Sequence, residues 1–207
     1  MQQLKNTTMP TVLFDNYIEN NPNVAYVGTD SYEGIDMAVK HLHNLGHKKI
    51  AFINGSLFSL VSDQRQEAFE NSMRDAGLEI YPELMGHGYY IPETAQYYVS
   101  NFIAAGATAI LCASDTIAKG VISECQLHGF NVPNDISVVG FDDVKFAAAL
   151  TPPLTTVRQE RNDLGRCAHI ILNSLIHHIP ISRTQLRPML IERESTARVS
   201  TAHAAEE

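Results

Sequence analysis

The sequence predicts an α/β protein built on a doubly wound parallel sheet, and three observations carry that prediction. Ile136 to Phe141 is a short apolar run rich in β-branched residues, entered through Pro133-Asn134 and followed by Asp142 and Asp143. That is the signature of a strand buried on both faces. Similar runs at Ile50 to Asn54 and Thr108 to Ala113 alternate with longer stretches of helical period, the spacing of parallel strands joined by right-handed helical crossovers. The helical stretches close on Gly46, Gly77 and Gly129, the residue type that most readily takes the left-handed conformation at a helix end. In an open parallel sheet ligands bind outside the carboxyl ends of the strands, which puts Asp142 and Asp143 at the functional edge.

Taken in order, Thr11 to Asp15 reads as a strand, Asn20 to Asn23 as a turn and Ala25 to Thr29 as a second extended segment. Ile35, Val39, Leu42 and Leu45 form one stripe of a helix from about Tyr32, which Gly46 stops. After the strand at Ile50 comes a helix from Asp63 to Ala76, and then a strand within Glu83 to Tyr90. Pro92 opens a helix expected to run to about Ala104, because proline fits the first helical turn. Thr108 to Ala113, a helix from Asp115 to His128 and Ile136 to Phe141 follow. Pro152-Pro153 excludes helix and forces an extended path into a strand at Leu154 to Val157. An amphipathic helix from Asn162 to Ile176 and a last strand from Met189 to Arg193 precede a polar tail after Arg198, expected to be disordered.

The 207 residues are 44% hydrophobic, enough for one substantial core or two small ones. Fifteen Lys and Arg against twenty-three Asp and Glu give a net charge of −8, a surface that repels polyanions. DNA binding by these residues alone is therefore not expected. No apolar run approaches the roughly 20 residues of a membrane-spanning helix, and Met1 to Thr8 has no apolar signal core, so a cytoplasmic protein is expected. Cys112, Cys125 and Cys167 lack metal-site or redox spacing and read as reduced thiols. His41 and His43 lie two apart on a helix and His177-His178 have no carboxylates nearby, so no metal site is predicted. No nucleotide-binding glycine loop or Gly-x-Ser-x-Gly elbow occurs, and neither an enzyme nor a cofactor is predicted.

Val-Pro-Asn-Asp-Ile-Ser-Val-Val-Gly-Phe-Asp-Asp (132–143) followed by Thr-Pro-Pro-Leu-Thr-Thr-Val-Arg-Gln (151–159) resembles the effector-binding region of the lactose-repressor (LacI/GalR) family of bacterial transcription regulators. Leu45-Gly46-His47-Lys48-Lys49-Ile50-Ala51-Phe52-Ile53, Ser62-Asp63-Gln64-Arg65 and Ala109-Ile110-Leu111-Cys112-Ala113-Ser114-Asp115 agree in order and spacing. The resemblance runs from about Pro10 to Thr196 and implies a periplasmic-binding-protein-like fold of two subdomains joined by three crossing strands. On that mapping 30–158 with 188–198 form a complete C-terminal subdomain, 1–29 with 159–187 the remnant of an N-terminal one, and 199–207 a tail. The family's helix-turn-helix headpiece, its hinge helix and the first units of its N-terminal subdomain have no counterpart in these residues.

The resemblance also implies a site. Asp142 is the carboxylate that accepts ligand hydroxyls or ring N–H groups, with a loop carboxylate or a helix cap as the alternative. Arg65 offers five donors in a plane, to grip a polar ligand while pairing with Asp142, although an arginine on a helix is by itself most often a solvated residue. Tyr90 falls where the family sets an aromatic ring against the effector, with core packing as the alternative. Ser114, Asp30 and Gln159 are further polar candidates, whereas Asp143 reads as structural. Ser59 and Val61, at positions that vary with the ligand, carry no charge, which favours a neutral, sugar-like effector. The expected function is the effector-sensing and dimerisation core of a sugar-responsive repressor, with ligand between the subdomains and a homodimer contact near 115–128 and 144–150. Operator DNA would be met only through the headpiece. The alternative is a free-standing sugar-binding protein of the periplasmic type.

Overall fold

The apolar runs become strands because each supplies alternate side chains to two opposite layers. The computed structural model describes residues 4–16, 18, 20–179, 181 and 183–199. Its strands are β1 (Thr11–Phe14), β2 (Val24–Thr29), β3 (Ile50–Asn54), β4 (Met85–His87), β5 (Ala109–Cys112), β6 (Ser137–Asp142), β7 (Thr155–Arg158), β8 (Thr184–Leu186) and β9 (Met189–Ile191). Its α-helices are α1 (Ser31–Asn44), α2 (Leu60–Asp75), α3 (Val99–Ala104), α4 (Asp115–Leu127) and α5 (Arg161–Ile176). The chain divides into two units, one from the described residues of Met1–Asp30 and Gln159–Pro188, the other from those of Ser31–Arg158 and Met189–Glu207.

The larger unit holds a six-stranded sheet in the order β4-β3-β5-β6-β7-β9. Neighbours are parallel except β9, which runs antiparallel to β7. The period of two decides which layer each side chain joins. Ile50, Phe52, Ala109, Leu111, Val139 and Phe141 pack with Ile35, Val39 and Leu42 of α1 and Phe69 and Met73 of α2. Ala51, Ile53, Ile110, Cys112 and Val138 face the other way, against Phe102 of α3 and Ile117, Val121 and Cys125 of α4. Both faces are covered, so the sheet is doubly wound as the alternation predicts. Phe52 and Phe69 stack across the first layer with ring centroids 4.8 Å apart.

The helix expected from Pro92 to Ala104 is instead a 3-10 segment, Pro92–Tyr97, followed by α3. Tyr98 sits at the break because its hydroxyl both donates to the His87 carbonyl (2.9 Å) and accepts the His87 N–H (3.1 Å), fastening the chain to β4. Gly120 of α4 packs on the same segment, where a Cβ would lie 2.0 Å from the Pro92 carbonyl oxygen. Beyond β9 the chain runs back across the sheet. The buried Ser195 hydroxyl donates to the Val138 carbonyl (2.6 Å) and accepts the Thr155 N–H (2.8 Å). His47, buried in the loop after α1, bridges Thr108 Oγ1 and the Ala197 carbonyl at 3.0 Å each. The tail expected to be disordered lies outside the described residues from Ser200 onward.

The smaller unit is a parallel sheet in the order β1-β2-β8 with α5 packed on it. Among the described residues its core is Ala25, Val27, Leu164, Ile171 and Leu175, five side chains against eighteen and fifteen in the two layers of the larger unit. Burial of apolar area sets local stability, so the smaller unit opens first. In hydrogen exchange the amides of β3 and β5 are expected to be the slowest in the chain and those of β1, an edge strand, among the fastest. Equal protection in β1 and β5 would contradict this ordering.

Candidate functional site

Parallel pairing of β3 with β5 and of β5 with β6 brings their carboxyl ends to one edge of the larger unit. α2 begins three residues earlier than expected, at Leu60, which places Arg65 on its second turn. Its side chain is 4% exposed, and Nη1 donates to the Ala113 carbonyl at the end of β5 (2.5 Å). The guanidinium carbon lies 3.8 Å above the centre of the Phe141 ring on β6, a cation–π contact. The Nε atom is buried without a hydrogen-bond partner. Arg65 thus gives Nη1 to a backbone carbonyl and its face to Phe141, the residue just before Asp142. A guanidinium is weakly hydrated and planar, and a flat aromatic face holds it without a counter-charge.

Tyr90 has φ +60, and its ring fills the space a Cβ on Gly55 would need, with a ring carbon 2.0 Å from that position. Its hydroxyl lies 2.8 Å from Ser62 Oγ, one helical turn before Arg65. Ser114 is buried as the N-cap of α4, its Oγ accepting the Ile117 N–H (3.2 Å). Asp142 ends β6 with φ +117 and Asp143 follows with φ +50. Two successive non-glycine residues at positive φ cost about 1–3 kcal/mol each, so the turn stands only because its surroundings hold it. Asp143 accepts from Arg158 Nε and Arg193 Nη2, both at 2.7 Å. Partial burial pushes its carboxyl up, but the hydrogen bonds from Arg193 and Arg158 outweigh that and hold it below the ordinary range. Arg65, Tyr90, Ser114 and Asp142 thus stand at one sheet edge. Asp30 and Gln159 belong to the smaller unit, where the Asp30 N–H donates to the Leu186 carbonyl (2.9 Å) and the Gln159 carbonyl accepts the Arg161 N–H (2.8 Å).

Two features at this edge were not singled out from the sequence. Asp115, fully buried at the start of α4, accepts the Val144 N–H (2.7 Å) and the Thr156 hydroxyl (2.5 Å). Desolvation pushes its carboxyl up to about 7, against the two hydrogen bonds. Ser56, Leu57, Phe58, His87, Gly88 and Tyr89 line a cavity of about 70 Å³ beyond β3 and β4. Phe58 there is 99% exposed, and exposed aromatics in a loop were the available signal.

A mostly parallel sheet covered on both faces, with hydrogen-bonding groups at its carboxyl edge, is the architecture of a periplasmic-type binding domain. The family model of the periplasmic binding protein-like domain matches residues 39–196, and the chain belongs to that family. Within it the chain is an effector-binding domain of the LacI/GalR type. The HTH-type transcriptional repressor PurR of Actinobacillus pleuropneumoniae serotype 3 (strain JL03) is 34% identical over 194 residues, covering 93% of this chain and 56% of the relative. A regulatory protein of the LacI family from Chloroflexus aggregans matches with a TM-score of 0.85 and 27% identity, over 95% of this chain and 72% of that one. The transcriptional regulator CelR in complex with cellobiose matches with a TM-score of 0.81 and 26% identity, over 89% of this chain and 58% of that one. The chain thus spans about half the length of the curated relatives it matches, 56% for the first of them. Among the described residues no helix is long and apolar enough to cross a membrane.

Proposed function

We propose that this chain is the effector-sensing and dimerisation core of a sugar-responsive bacterial transcriptional repressor, acting in the cytoplasm and performing no catalysis. The observation that carries the reading is Arg65, a buried guanidinium at the ligand edge whose Nε–H has no acceptor. Such a group is built to donate to a polar molecule. Asp142, the last residue of β6, supplies acceptors at the same sheet edge and Tyr90 an aromatic ring, a combination that suits a polyhydroxylated ring. The uncharged Ser59 and Val61 favour a neutral ligand, and the cellobiose held by CelR supports a sugar. DNA contact is assigned to the helix-turn-helix part named in the relatives, in keeping with the net charge of −8 here. Ligand binding then biases a two-state equilibrium by its differential affinity for the two states. Calorimetry with cellobiose, glucose and ribose, and with glucose 6-phosphate as the charged control, tests this. Binding of a neutral sugar is expected, and a preference for the phosphorylated one would overturn the ligand class.

The dimer part of the proposal rests on α4 and the loop after Asp143. Ala147 is buried in the unit's own core, but Leu127 and Phe146 are 79% and 37% exposed. Apolar side chains on two adjoining segments suit a self-complementary contact. Sedimentation at micromolar concentration is expected to show dimers, and Leu127→Asp with Phe146→Asp to give monomers. Monomers in the unsubstituted chain would remove dimerisation from the proposal.

A further inference from the structure

We infer that Asp115 is a positioning residue of the ligand site, tying down the Asp142–Asp143 turn and thereby setting where the Asp142 carboxylate stands. The inference rests on the proposed role of Asp142 as a ligand-binding carboxylate. The turn needs a restraint because Asp142 (φ +117) and Asp143 (φ +50) both hold backbone conformations that L side chains rarely adopt. Asp143 is anchored from one side by Arg158 and Arg193. The next residue is anchored from the other side, where Asp115 Oδ2 accepts the Val144 N–H at 2.7 Å. Its second oxygen takes the Thr156 hydroxyl on β7 at 2.5 Å, which fixes the carboxylate plane. With both residues after Asp142 pinned and β6 pinned before it, the direction of Asp142 is determined.

The packing around Asp115 shows that the approach is built in. A Cβ on Gly140 of β6 would lie 2.3 Å from Asp115 Oδ1, so only glycine at that position lets the head of α4 reach the strand. Asp115 follows the N-cap Ser114, where the helix dipole favours a negative charge. The charged groups facing it are Asp142 and Asp143 on the turn, the latter neutralised by Arg158 of β7 and Arg193 beyond β9, with the Cys112 thiol below on β5. Burial keeps its carboxyl near neutrality. A carboxylate is a stronger acceptor for the Val144 N–H than the protonated acid, so the tie tightens when Asp115 ionises. The protonated acid can still accept from Val144 while donating to Thr156 Oγ1, and asparagine can do the same. Asp115→Asn therefore keeps the geometry and removes only the charge.

The test is backbone amide NMR of the full chain from about pH 5 to about pH 9. The Val144 amide is expected to shift with a midpoint near 7 in the wild type and not to titrate in Asp115→Asn. Asp115→Ala is expected to move or broaden the amides of Asp142, Asp143 and Val144 while leaving β3 unchanged; if it fails to fold, the Asn comparison decides. A Val144 amide that does not titrate in the wild type, or titrates equally in Asp115→Asn, overturns the positioning role. Calorimetry with cellobiose, glucose and ribose separates the two ideas. A titrating tie in a chain that binds no sugar would leave Asp115 holding the turn and remove only the ligand reading.

Discussion

Arg65→Ala is expected to weaken binding of whichever sugar the wild type binds by more than tenfold, with α2 intact. Removing one member of a buried, charge-assisted contact costs about 2–5 kcal/mol, because the ligand groups it served are left unpaired in a desolvated place. The helix itself survives, since alanine is the best helix former. Arg65→Lys is expected to lose nearly as much. An ammonium cannot lie flat on the Phe141 ring at 3.8 Å and still present a plane of donors. Asp142→Asn probes the partner acceptor without collapsing the turn, because asparagine tolerates the φ of +117 better than alanine would. Calorimetry against the same sugars reads both. Unchanged affinity in Arg65→Ala and Asp142→Asn together would take the ligand away from this edge of the sheet.

The larger sheet was legible because each central strand is a continuous apolar run that feeds two layers, as Ile50 to Asn54 does. β8 was not, because Thr184, Gln185 and Leu186 offer a single apolar residue in three, too short a pattern to read, and are held by pairing with Val27, Gly28 and Thr29 far away in sequence. The helix break at Tyr98 was hidden for a similar reason: its cause is a hydroxyl reaching His87, not a breaking residue. For the site, resemblance pointed to Arg65, but its actual partners, the Ala113 carbonyl and the Phe141 ring, come from strands that local sequence cannot align. Asp115 reads locally as an ordinary acidic residue in a helix's first turn. What distinguishes it are Val144 and Thr156, 29 and 41 residues onward, and full burial, none of which leaves a mark on its neighbours in sequence.

Asp115→Asn is expected to raise stability at alkaline pH and to leave it nearly unchanged in acid. The Asp115 carboxyl is pushed from 3.8 up to about 7 in the folded chain, by desolvation first of all. Between those values the folded chain holds a proton that the unfolded chain has released, so stability falls as pH rises. The contribution is complete below the unfolded value, is lost progressively up to about 7 and is constant above it. A shift of this size corresponds to about 4 kcal/mol. Asparagine resembles the protonated acid at every pH and escapes that loss. His41 and His47 act in the opposite direction. Burial lowers both, so their contribution is present above the ordinary histidine range and lost as pH falls. Because both chains carry them, they cancel in the difference between variant and wild type. Urea unfolding at about pH 4 and about pH 8 is the measurement. A variant no more stable than wild type at the higher pH would mean that the ionised carboxylate is fully compensated by Val144 and Thr156. A gain of the expected size would mean that this carboxylate costs the fold stability in the same place where it holds the ligand turn, the trade-off common at functional sites.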